Sequence, residues 1–513
     1  MNASLANCSS AVFVSSSREF VSIAILLLVL CFLSWNHYKA VKSLPQGPFP
    51  LPVLGNLLQL DTIAPYETLA QWGKQHGGIF TVWIPKPHVV VTDFQLIHEA
   101  LVKKGDALAG RYRSFLWETI TRGNHGLVMS DGPVWQEQRR FCLRVLRDFG
   151  LGRSLMERKI MDQAATLVKN IQISGKAESP VNLAPLLELA VANVISSVVI
   201  GQTFDQQLDK LEFLQHRIDT IFRILRHPLA LMLDDYSWLR FLPLCNGFGY
   251  GSLKTNIDAV FGYFRELVED GKVGLDYEAE PDHLLTAYLQ EMDRKRKENE
   301  ELGAFGDWQL ITVMGDLFAA GMETMASTLG WALLYIVLHP DVQTKVQDEI
   351  DAVIGKERNV EMSDRLKMPY TAATVNEVQR LANILPINLQ HKVTETITLG
   401  GRLIPKGSIV LPQISAVLSE PKIFPQPRKF DPTRFLDLDG KSLKKFEEFI
   451  PFSLGKRQCL GESLARMELF LIFTTLLQKF RFSLPPGSKK PTLLPRMGLT
   501  LTPLSYLCLV KNR

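Results

Sequence analysis

The sequence predicts a mainly helical protein with small β-sheets, one long central helix and an N-terminal membrane anchor. Three patterns indicate this fold class. Apolar residues recur at helical spacing over much of the chain, a β-rich segment is broken by a Pro-x-Pro turn, and an uncharged run lies near the N-terminus. A period of 3.6 residues indicates amphipathic helices, and β-branched residues on both sides of a turn indicate a hairpin.

The spacing of apolar residues predicts five helices. The longest, over 308–338, would extend about 45 Å at a rise of about 1.5 Å per residue, enough to cross a whole domain. The hairpin is expected over 79–93, I-F-T-V-W-I-P-K-P-H-V-V-V-T-D. Residues 290–303 are so rich in charge that we expect a solvated loop there. The other helices are expected at 134–147, 340–354, 368–382 and 460–480.

An N-terminal anchor is predicted from the uncharged run between Phe20 and Trp35. The run is slightly shorter than the roughly 20 residues of a spanning helix. A cleaved signal peptide is the alternative, but no A-x-A-like site follows. Lys39 and Lys42 come after the run, so the positive-inside rule places the rest of the chain in the cytosol. We therefore expect a luminal segment at 1–19, an anchor at 20–38, a proline-rich linker at 39–56 and the catalytic domain at 57–513.

Charge and cysteine usage exclude several classes of function. The 57 Lys and Arg against 53 Asp and Glu leave a net charge of +4, too little to indicate a nucleic-acid partner. The six cysteines show no regular spacing and no C-x-x-C pair, which argues against a disulfide framework or a zinc site. Cys459 lies in a loop flanked by glycines, where a thiolate could be a nucleophile or a metal ligand.

The strongest motif is F-S-L-G-K-R-Q-C-L-G at 452–461. Its glycines would let the backbone approach a flat ligand closely. Cys459 precedes a predicted helix, whose N-terminus favours a thiolate. A buried structural cysteine is the alternative for any isolated Cys. The positions that the motif fixes relative to one another are Phe452, Gly455, Arg457, Cys459 and Gly461.

In this loop the chain resembles the cytochrome P450 superfamily, and it is most similar to the microsomal, animal family-two type. Further motifs follow the family's order and cover about residues 45–505. The resemblance implies the cytochrome P450 fold, with the long central helix lying over haem b. It also implies that Cys459 is the axial thiolate of the haem iron, an arrangement that favours O–O cleavage. The implied activity is a monooxygenase that uses O2 and electrons from NADPH.

Two more motifs carry implied roles. In A-G-M-E-T at 320–324, Glu323 and Thr324 resemble the family's proton-delivery pair. Gly321 is costly inside a helix and would be explained by a cofactor lying against it. In E-V-Q-R, the acid and the arginine are three residues apart and share one helical face. The resemblance implies that they belong to a buried structural network that holds the cysteine loop. The members of that network are Glu377, Arg380 and Arg434.

The resemblance also supplies partners for the haem propionates and a substrate pocket. The propionate partners are Trp135, Arg139 and Arg457, with Arg111 and His391 as further candidates. For His391 the alternative is a plain surface or turn histidine. The apolar pocket candidates indicate a lipophilic substrate, whether xenobiotic, fatty acid or steroid. They are Phe115, Leu116, Trp117, Leu317, Phe318, Ala319, Ala320, Leu385 and Ile387.

Electrons are expected from another protein, because the chain lacks a G-x-G-x-x-G nucleotide-binding unit. A basic face would steer an acidic donor; its candidates are Arg139, Arg140, Arg144, Arg147 and Lys456. The resemblance implies NADPH–cytochrome P450 reductase, in some relatives with cytochrome b5, at the endoplasmic reticulum membrane. Two alternatives stay open: a haem-thiolate isomerase or lyase of lipid peroxides, and a non-catalytic haem carrier or sensor. The alcohol at Thr324 favours the monooxygenase.

Overall fold

The structure is a computed structural model that describes residues 35–36, 38–151, 154–175, 179–241, 249–498 and 500–513. The predicted luminal segment and nearly all of the predicted anchor lie outside the described residues. In the described part, the mainly helical fold with small sheets is confirmed.

Fifteen α-helices in the described residues build most of the body. Short 3-10 and π turns lie between them, including Glu99–Lys103 and Gly455–Arg457. The helices are α1 (Pro65–His76), α2 (Phe94–His98), α3 (Phe115–Thr121), α4 (Gly132–Leu151), α5 (Leu155–Ser174), α6 (Ala184–Val199), α7 (Leu208–Leu225), α8 (Pro228–Asp235), α9 (Tyr250–Lys272), α10 (Leu284–Lys297), α11 (Asp307–Leu338), α12 (Pro340–Val353), α13 (Pro369–Ala382), α14 (Ile414–Leu418) and α15 (Glu462–Lys479).

The strands form one five-stranded sheet and three two-stranded sheets. The order in the larger sheet is β1-β2-β7-β4-β3, with β2 and β7 parallel and the other pairs antiparallel. The small sheets pair β5 with β6, β8 with β11 and β9 with β10. The strands are β1 (Ile79–Ile84), β2 (Lys86–Val91), β3 (Gly110–Arg111), β4 (His391–Lys392), β5 (Ile397–Leu399), β6 (Arg402–Ile404), β7 (Ile409–Pro412), β8 (Phe480–Ser483), β9 (Pro495–Met497), β10 (Leu501–Pro503) and β11 (Leu509–Asn512).

The 32-residue helix α11 runs through the largest hydrophobic core. Within the described residues it is also the helix that is long and apolar enough to cross a membrane, but 67% of its apolar window is buried in protein. That burial identifies it as a core helix. Gly321 on α11 faces α6, and a Cβ there would lie 2.8 Å from the side chain of Ile195. Close helix packing therefore explains this glycine, and no cofactor contact is needed to account for it.

Most of the expected elements lie where the spacing placed them. The five expected helices correspond to α4, α11, α12, α13 and α15, and the hairpin is β1–β2. The prediction of a loop at 290–303 is wrong over its first half, because α10 continues to Lys297. Ion pairs one helical turn apart, Arg294–Glu291 at 3.1 Å and Lys297–Asp293 at 2.8 Å, stabilise this charged helix.

The proline-rich linker is docked onto β1 and belongs to the folded body. Leu51 and Gly55 pair across a tight turn, and the Asn56 N–H donates to the Trp83 carbonyl at 2.7 Å. The Trp83 N–H donates back to Asn56 Oδ1 at 2.8 Å. A Cβ on Gly47 would lie 2.1 Å from the Thr81 carbonyl oxygen, so only glycine permits this approach. Residues 47–56 are therefore packed on the sheet as part of the folded domain.

Candidate functional site

The cysteine loop turns sharply before α15. Gly455 has a φ of +74°, and a Cβ there would lie 1.9 Å from the Leu101 carbonyl oxygen. Its role is thus to pack the loop on the 99–103 turn, which differs from the expected approach to a ligand. At Gly461, by contrast, a Cβ would meet nothing within 4 Å. The Cys459 N–H donates to the Phe452 carbonyl at 3.0 Å and closes the loop.

The Cys459 side chain is accessible although protein groups surround the loop. Burial raises the pKa of the Cys459 thiol, and the Gly461 N–H and the Arg139 charge oppose that rise only in part. The expected preference for a thiolate is therefore not produced by the helix N-terminus alone. A bound metal ion deprotonates a coordinating thiol outright, so the thiolate state would come with metal binding.

Contacts from four separate segments hold the cysteine loop. Arg139 on α4 donates to the Gln458 carbonyl at 2.6 Å, and Asn388 donates to Ser453 Oγ at 2.6 Å. Lys456 forms an ion pair with Asp106, and Gly455 rests on Leu101. Arg139, expected to bind a propionate, thus uses one N–H group to hold the backbone next to Cys459.

A cluster of cationic side chains lies beside the loop. The pairing of β3 with β4 sets Arg111 directly opposite His391. Arg457 donates to the Ala109 and Ser130 carbonyls, both at 2.7 Å, and its guanidinium lies 3.7 Å from the centre of the Trp135 ring. The structure thereby brings together four of the residues proposed to hold the propionates.

The electrostatics of this cluster fit a dianionic ligand. Burial, followed by the charges of Arg111 and Arg139, lowers the pKa of Arg457 to about 8. Burial and the Arg139 charge lower the pKa of Arg111 to about 10, and burial and the Arg111 charge lower that of His391 to about 3. The arginine charges thus repel one another where water is excluded, and two carboxylates would neutralise them.

Unsatisfied polar atoms in the cluster support the same conclusion. Arg457 Nη1 and His391 Nε2 are buried and have no hydrogen-bond partner in the described structure. Such atoms are costly when left unpaired. A haem would place two propionates here and its iron at Cys459, so the residues present fit this group. Among the described residues no cluster of three or more His, Cys, Asp or Glu could hold a metal ion.

Thr324 and Glu323 lie on different faces of α11. Thr324 lines a cavity of about 50 Å³ together with Phe452 of the cysteine loop. Its hydroxyl donates to the Ala320 carbonyl at 2.7 Å. Glu323 instead accepts from the Thr500 hydroxyl at 2.9 Å and from the Thr500 N–H at 3.1 Å. The two side chains therefore do not form a hydrogen-bonded pair in this structure.

Glu323 borders the larger cavity, of about 780 Å³, between α6, α7, α11 and the β9–β10 hairpin. Burial raises the pKa of its carboxyl, and the two bonds from Thr500 only partly offset this. Asp219, which also lines the cavity, raises the pKa of Glu323 further, and Arg226 lowers it. This acid is thus biased toward carrying a proton at the edge of a half-open cavity.

The E-x-x-R network is buried and complete. Glu377 accepts from Arg380 Nε at 2.7 Å and from Arg434 Nε at 2.9 Å, and the carboxylate is fully buried. The remaining N–H groups of the two arginines donate to carbonyls at residues 418, 425, 427 and 429. The network therefore fixes the 418–434 segment directly. Phe435, the residue after Arg434, packs on Phe449, which precedes the cysteine loop, with ring centres 4.8 Å apart.

The apolar pocket candidates separate into three groups by burial. Phe318 is fully buried, packs edge-to-face on Phe204 and Phe264, and lines neither of the two cavities described above. Leu116 is likewise buried in the core, at 2% exposure. Ala320 lies one turn before Thr324 and is exposed. The others are partly buried: Phe115, Trp117, Leu317, Ala319, Leu385 and Ile387.

Sequence reasoning missed the residues that fasten the 122–131 loop to α11. Asp316 accepts from the Leu127 N–H at 2.7 Å and from the Val128 N–H at 3.0 Å. Gln309 exchanges two hydrogen bonds of 3.1 Å with the backbone of Gly126. The signal was present, because Asp316 is an acid within an otherwise apolar stretch of the longest helix.

Comparisons with known proteins agree with this geometry. The family model described as "Cytochrome P450" matches residues 45–510. "Cytochrome P450 2U1" of Homo sapiens is 35% identical over 512 residues, covering 95% of this chain and 92% of the human protein. "Cytochrome P450 2C3" of Oryctolagus cuniculus is 37% identical over 479 residues, with coverages of 93% and 96%. "Cytochrome P450 2D27" of Mesocricetus auratus is 38% identical over 471 residues, with coverages of 91% and 92%. The chain therefore belongs to the cytochrome P450 family, whose members are haem-thiolate monooxygenases.

Proposed function

We propose that this protein inserts one oxygen atom from O2 into a lipophilic substrate and uses two electrons from NADPH, delivered by a separate flavoprotein reductase. The second oxygen atom leaves as water after taking up two protons. The observation that supports this best is the desolvated cluster around Arg457 and His391, with unpaired donors beside the Cys459 loop. It matches the charge of a haem whose iron Cys459 ligates.

The binding residues have separate tasks. Arg457, His391 and Arg111 would hold the propionates, and the Trp135 ring supports the Arg457 guanidinium from one side. When bound, haem supplies thiolate-ligated iron, which activates O2. Arg139 keeps the backbone next to Cys459 in place through the Gln458 carbonyl.

Proton supply would use both faces of α11. The Thr324 hydroxyl donates to the Ala320 carbonyl and lines a cavity with Phe452 of the cysteine loop. Rotation of its O–H bond would therefore direct a donor at a reacting oxygen. Glu323 would take protons from the larger cavity, where burial already raises the pKa of its carboxyl. For a proton to pass between them, the Glu323 side chain must leave Thr500 or water must bridge the gap.

A lipophilic substrate is proposed from the side chains of the pocket candidates. Ala320, Phe115, Leu385 and Ile387 offer only apolar side chains, which favour apolar ligands through burial of their surface. The alternatives that keep the haem without reductase-dependent turnover, a peroxide isomerase or a carrier, gain no specific support from the site. Reductase-dependent consumption of NADPH would separate the three.

Association with the endoplasmic reticulum membrane is proposed from the uncharged N-terminal run and from exposed apolar side chains. The docked linker exposes Phe49 and Val53, at 68% and 64%. Trp238 and Phe241, just after α8, are exposed at 59% and 74%. Both sets flank the β1–β2 turn, because the linker bonds to Trp83 and α8 bonds to Lys86. Exposed apolar patches of this kind mark interaction sites, so a single-pass anchor and this patch would together hold the domain on the cytosolic surface.

Spectroscopy of the reduced protein tests the haem assignment. The full-length protein, reduced and treated with carbon monoxide, should show the thiolate-type Soret band. Cys459→Ala should lose that band because alanine offers no ligand, whereas Cys142→Ala, at a buried cysteine in the core, should retain it. A thiolate-type band in the Cys459→Ala protein would refute the ligand assignment and with it the proposed chemistry.

A further inference from the structure

The larger cavity and the cavity beside the cysteine loop meet α11 on opposite sides. On α11 the larger cavity is lined by Glu323 and Ala326, among others, and the smaller one by Thr324 and Thr328. At about 100° per residue these two sets point in roughly opposite directions from the helix axis. The two cavities share no described lining residue. A molecule in the larger cavity would therefore lie across the helix from Thr324.

The larger cavity has the size and the lining of a ligand site. Its volume is about 780 Å³, within the roughly 300–1,000 Å³ of small-molecule pockets. Apolar side chains from all four of its walls line it, among them Leu187, Ile218, Met322, Met497 and Leu504. Because burial of apolar surface favours association, a wall of this extent fits a ligand with a long apolar part.

Exposed leucines continue this apolar surface at one end of the β9–β10 hairpin. Leu494 precedes β9 and is 68% exposed, and Leu504 follows β10 and is 44% exposed. Because Pro495 pairs with Pro503, the two leucines lie at the same end of the hairpin. Leu504 also lines the cavity. Apolar surface thus extends from the cavity to the outside of the protein, as at interaction sites.

Three arginines that line the cavity leave most of their N–H donors unused. Arg223 and Arg226, one turn apart on α7, each make one side-chain hydrogen bond within their own helix, to Thr220 Oγ1 and to the Phe222 carbonyl, both at 3.3 Å. Neither they nor Arg496 on β9 form an ion pair with a described residue. A guanidinium carries five N–H donors in a planar fork that matches a carboxylate. The cavity therefore combines an apolar wall with free cationic donors.

The acids that line the same cavity do not occupy these donors. Glu323 accepts from Thr500 at 2.9 and 3.1 Å, and Glu188 accepts from Gln215 at 3.5 Å. Burial raises the pKa of both carboxyls, and the charges of nearby arginines lower it only in part. Asp219 is exposed and forms no ion pair with a described residue. The arginine donors thus stay available to an anion from outside.

We propose that the larger cavity is a second ligand site, which binds a single-chain amphipathic carboxylate. The chain would lie along the apolar wall, and the carboxylate would accept charge-assisted hydrogen bonds from Arg223, Arg226 and Arg496. Such a ligand would touch Glu323 and not the reactants beside Thr324. Binding there does not depend on the proposed haem chemistry.

Photolabelling of the full-length protein in lipid nanodiscs tests this site. The probe is a dodecanoic acid that carries a diazirine at the end of its chain, and mass spectrometry identifies the labelled peptides after irradiation. Label should fall in the segments that line the larger cavity, 182–188, 215–226, 322–330 and 496–506. Unlabelled dodecanoate should compete with the probe. Label confined to other segments would overturn the proposal.

Arginine variants test recognition of the carboxylate. Arg223→Gln combined with Arg226→Gln, and Arg496→Gln alone, should each weaken competition by dodecanoate about 3- to 10-fold, because each removes charge-assisted hydrogen bonds. Labelling by the corresponding diazirine alcohol should change by less than about 2-fold, because an alcohol carries no charge for the arginines to bind. Equal competition by dodecanoate in the wild type and in both arginine variants would contradict the assignment.

Arg402→Gln is the matched control for Arg496→Gln. Like Arg496, Arg402 is exposed on a strand of a two-stranded sheet, but it lines neither cavity. Competition by dodecanoate should be the same in this variant as in the wild type. A loss equal to that of Arg496→Gln would mean that surface charge in general, and not this cavity, attracts the carboxylate.

Saturating 4-phenylimidazole, whose nitrogen binds haem iron, separates the second site from the haem site. Label in the larger cavity should persist in its presence, because the two cavities share no described lining residue. Loss of that label on adding the azole would show one continuous site and overturn a separate one. A missing carbon monoxide spectrum would refute the haem assignment instead, and it would leave the labelling pattern and its dependence on the arginines unchanged.

Discussion

Glu323 and Thr324 are neighbours in sequence, yet their side chains border two different cavities. Successive residues of a helix point about 100° apart, and the hydrogen bonds to Ala320 and Thr500 hold each side chain on its own side. In the proposed function, Thr324 would act on bound reactants, and Glu323 would exchange protons with the larger cavity. Their roles should separate under mutation.

Thr324→Ala should leave the haem and carbon monoxide spectra unchanged, because Thr324 makes no contact with the cysteine or the cationic cluster. Product formation should fall by about 10²- to 10⁴-fold, the usual contribution of positioned acid–base groups. NADPH oxidation should fall much less, and the missing product should appear as hydrogen peroxide. The measurement is the ratio of product to NADPH for a lipophilic substrate turned over with reductase.

Thr312→Ala provides the control for that ratio. Thr312 is on the same helix and makes the same kind of bond, to the Trp308 carbonyl at 2.8 Å, but it is fully buried three turns earlier. Its removal should not alter coupling. An unchanged ratio in Thr324→Ala would mean that this hydroxyl is an ordinary helix residue, and the isomerase and carrier alternatives would regain weight.

Helix α15 follows the cysteine loop and carries a buried acid that no expectation included. Glu468 is 2% exposed, and its Oε1 has no partner among the described residues. Burial alone raises the pKa of this carboxyl to about 8. The helix therefore carries a carboxylic acid that stays largely protonated in the folded protein at neutral pH.

Glu468→Gln should change how stability depends on pH. Between about pH 4.5 and pH 8 the unfolded chain has an ionised Glu468 while the folded protein keeps the proton, so the wild type loses stability as pH rises. Glutamine does not titrate, so this loss is absent in the variant. Between pH 5 and pH 8 its free energy of unfolding should rise relative to that of the wild type by on the order of 3 kcal/mol. Thermal unfolding followed by circular dichroism across this range measures the difference. Parallel pH profiles for the two proteins would contradict this account of Glu468.

At the scale of the whole molecule, local patterns predicted the fold better than the site. The long helix and the hairpin follow from periodicity within one segment, and the cysteine loop from a contiguous motif. The full burial of Phe318 could not be predicted, because a helix that is apolar nearly all round has no distinct buried face in its sequence. The contacts of Asp316, Asp234 and Asp235 join segments more than 100 residues apart, which a single sequence does not encode in any local pattern.

The proposed membrane attachment would use parts of the chain that lie far apart in sequence. Removal of residues 1–38 should weaken membrane association without altering the haem spectrum, because the run from Phe20 to Trp35 supplies most of the apolar length. Partial binding should persist through Phe49, Trp238 and Phe241. Flotation of wild-type and shortened protein with vesicles measures both effects. Protection of the globular domain from protease in sealed microsomes would refute the cytosolic orientation.

The proposed electron delivery would use a basic face of α4. Arg140, Arg144 and Arg147 are exposed and lie within about 60° of one another around the helix, whereas Arg139 turns inward to the Gln458 carbonyl. Lys456 extends this basic face from the cysteine loop and is 49% exposed. An acidic donor would thus dock close to Cys459, where electron transfer to the haem is shortest.

Arg140→Glu combined with Arg144→Glu should slow reduction by NADPH–cytochrome P450 reductase about 10-fold or more at low salt, because the steering field that raises association rates is reversed. Reduction by dithionite and the carbon monoxide spectrum should stay unchanged, since neither arginine contacts the haem cluster. Raising the ionic strength should reduce the difference in reduction rate between variant and wild type, because salt screens exposed charges. Lys254→Glu combined with Arg265→Glu, both exposed on α9, is the control and should not alter the reduction rate. If the α4 double variant were reduced as fast as the wild type at low salt, the donor would have to dock elsewhere.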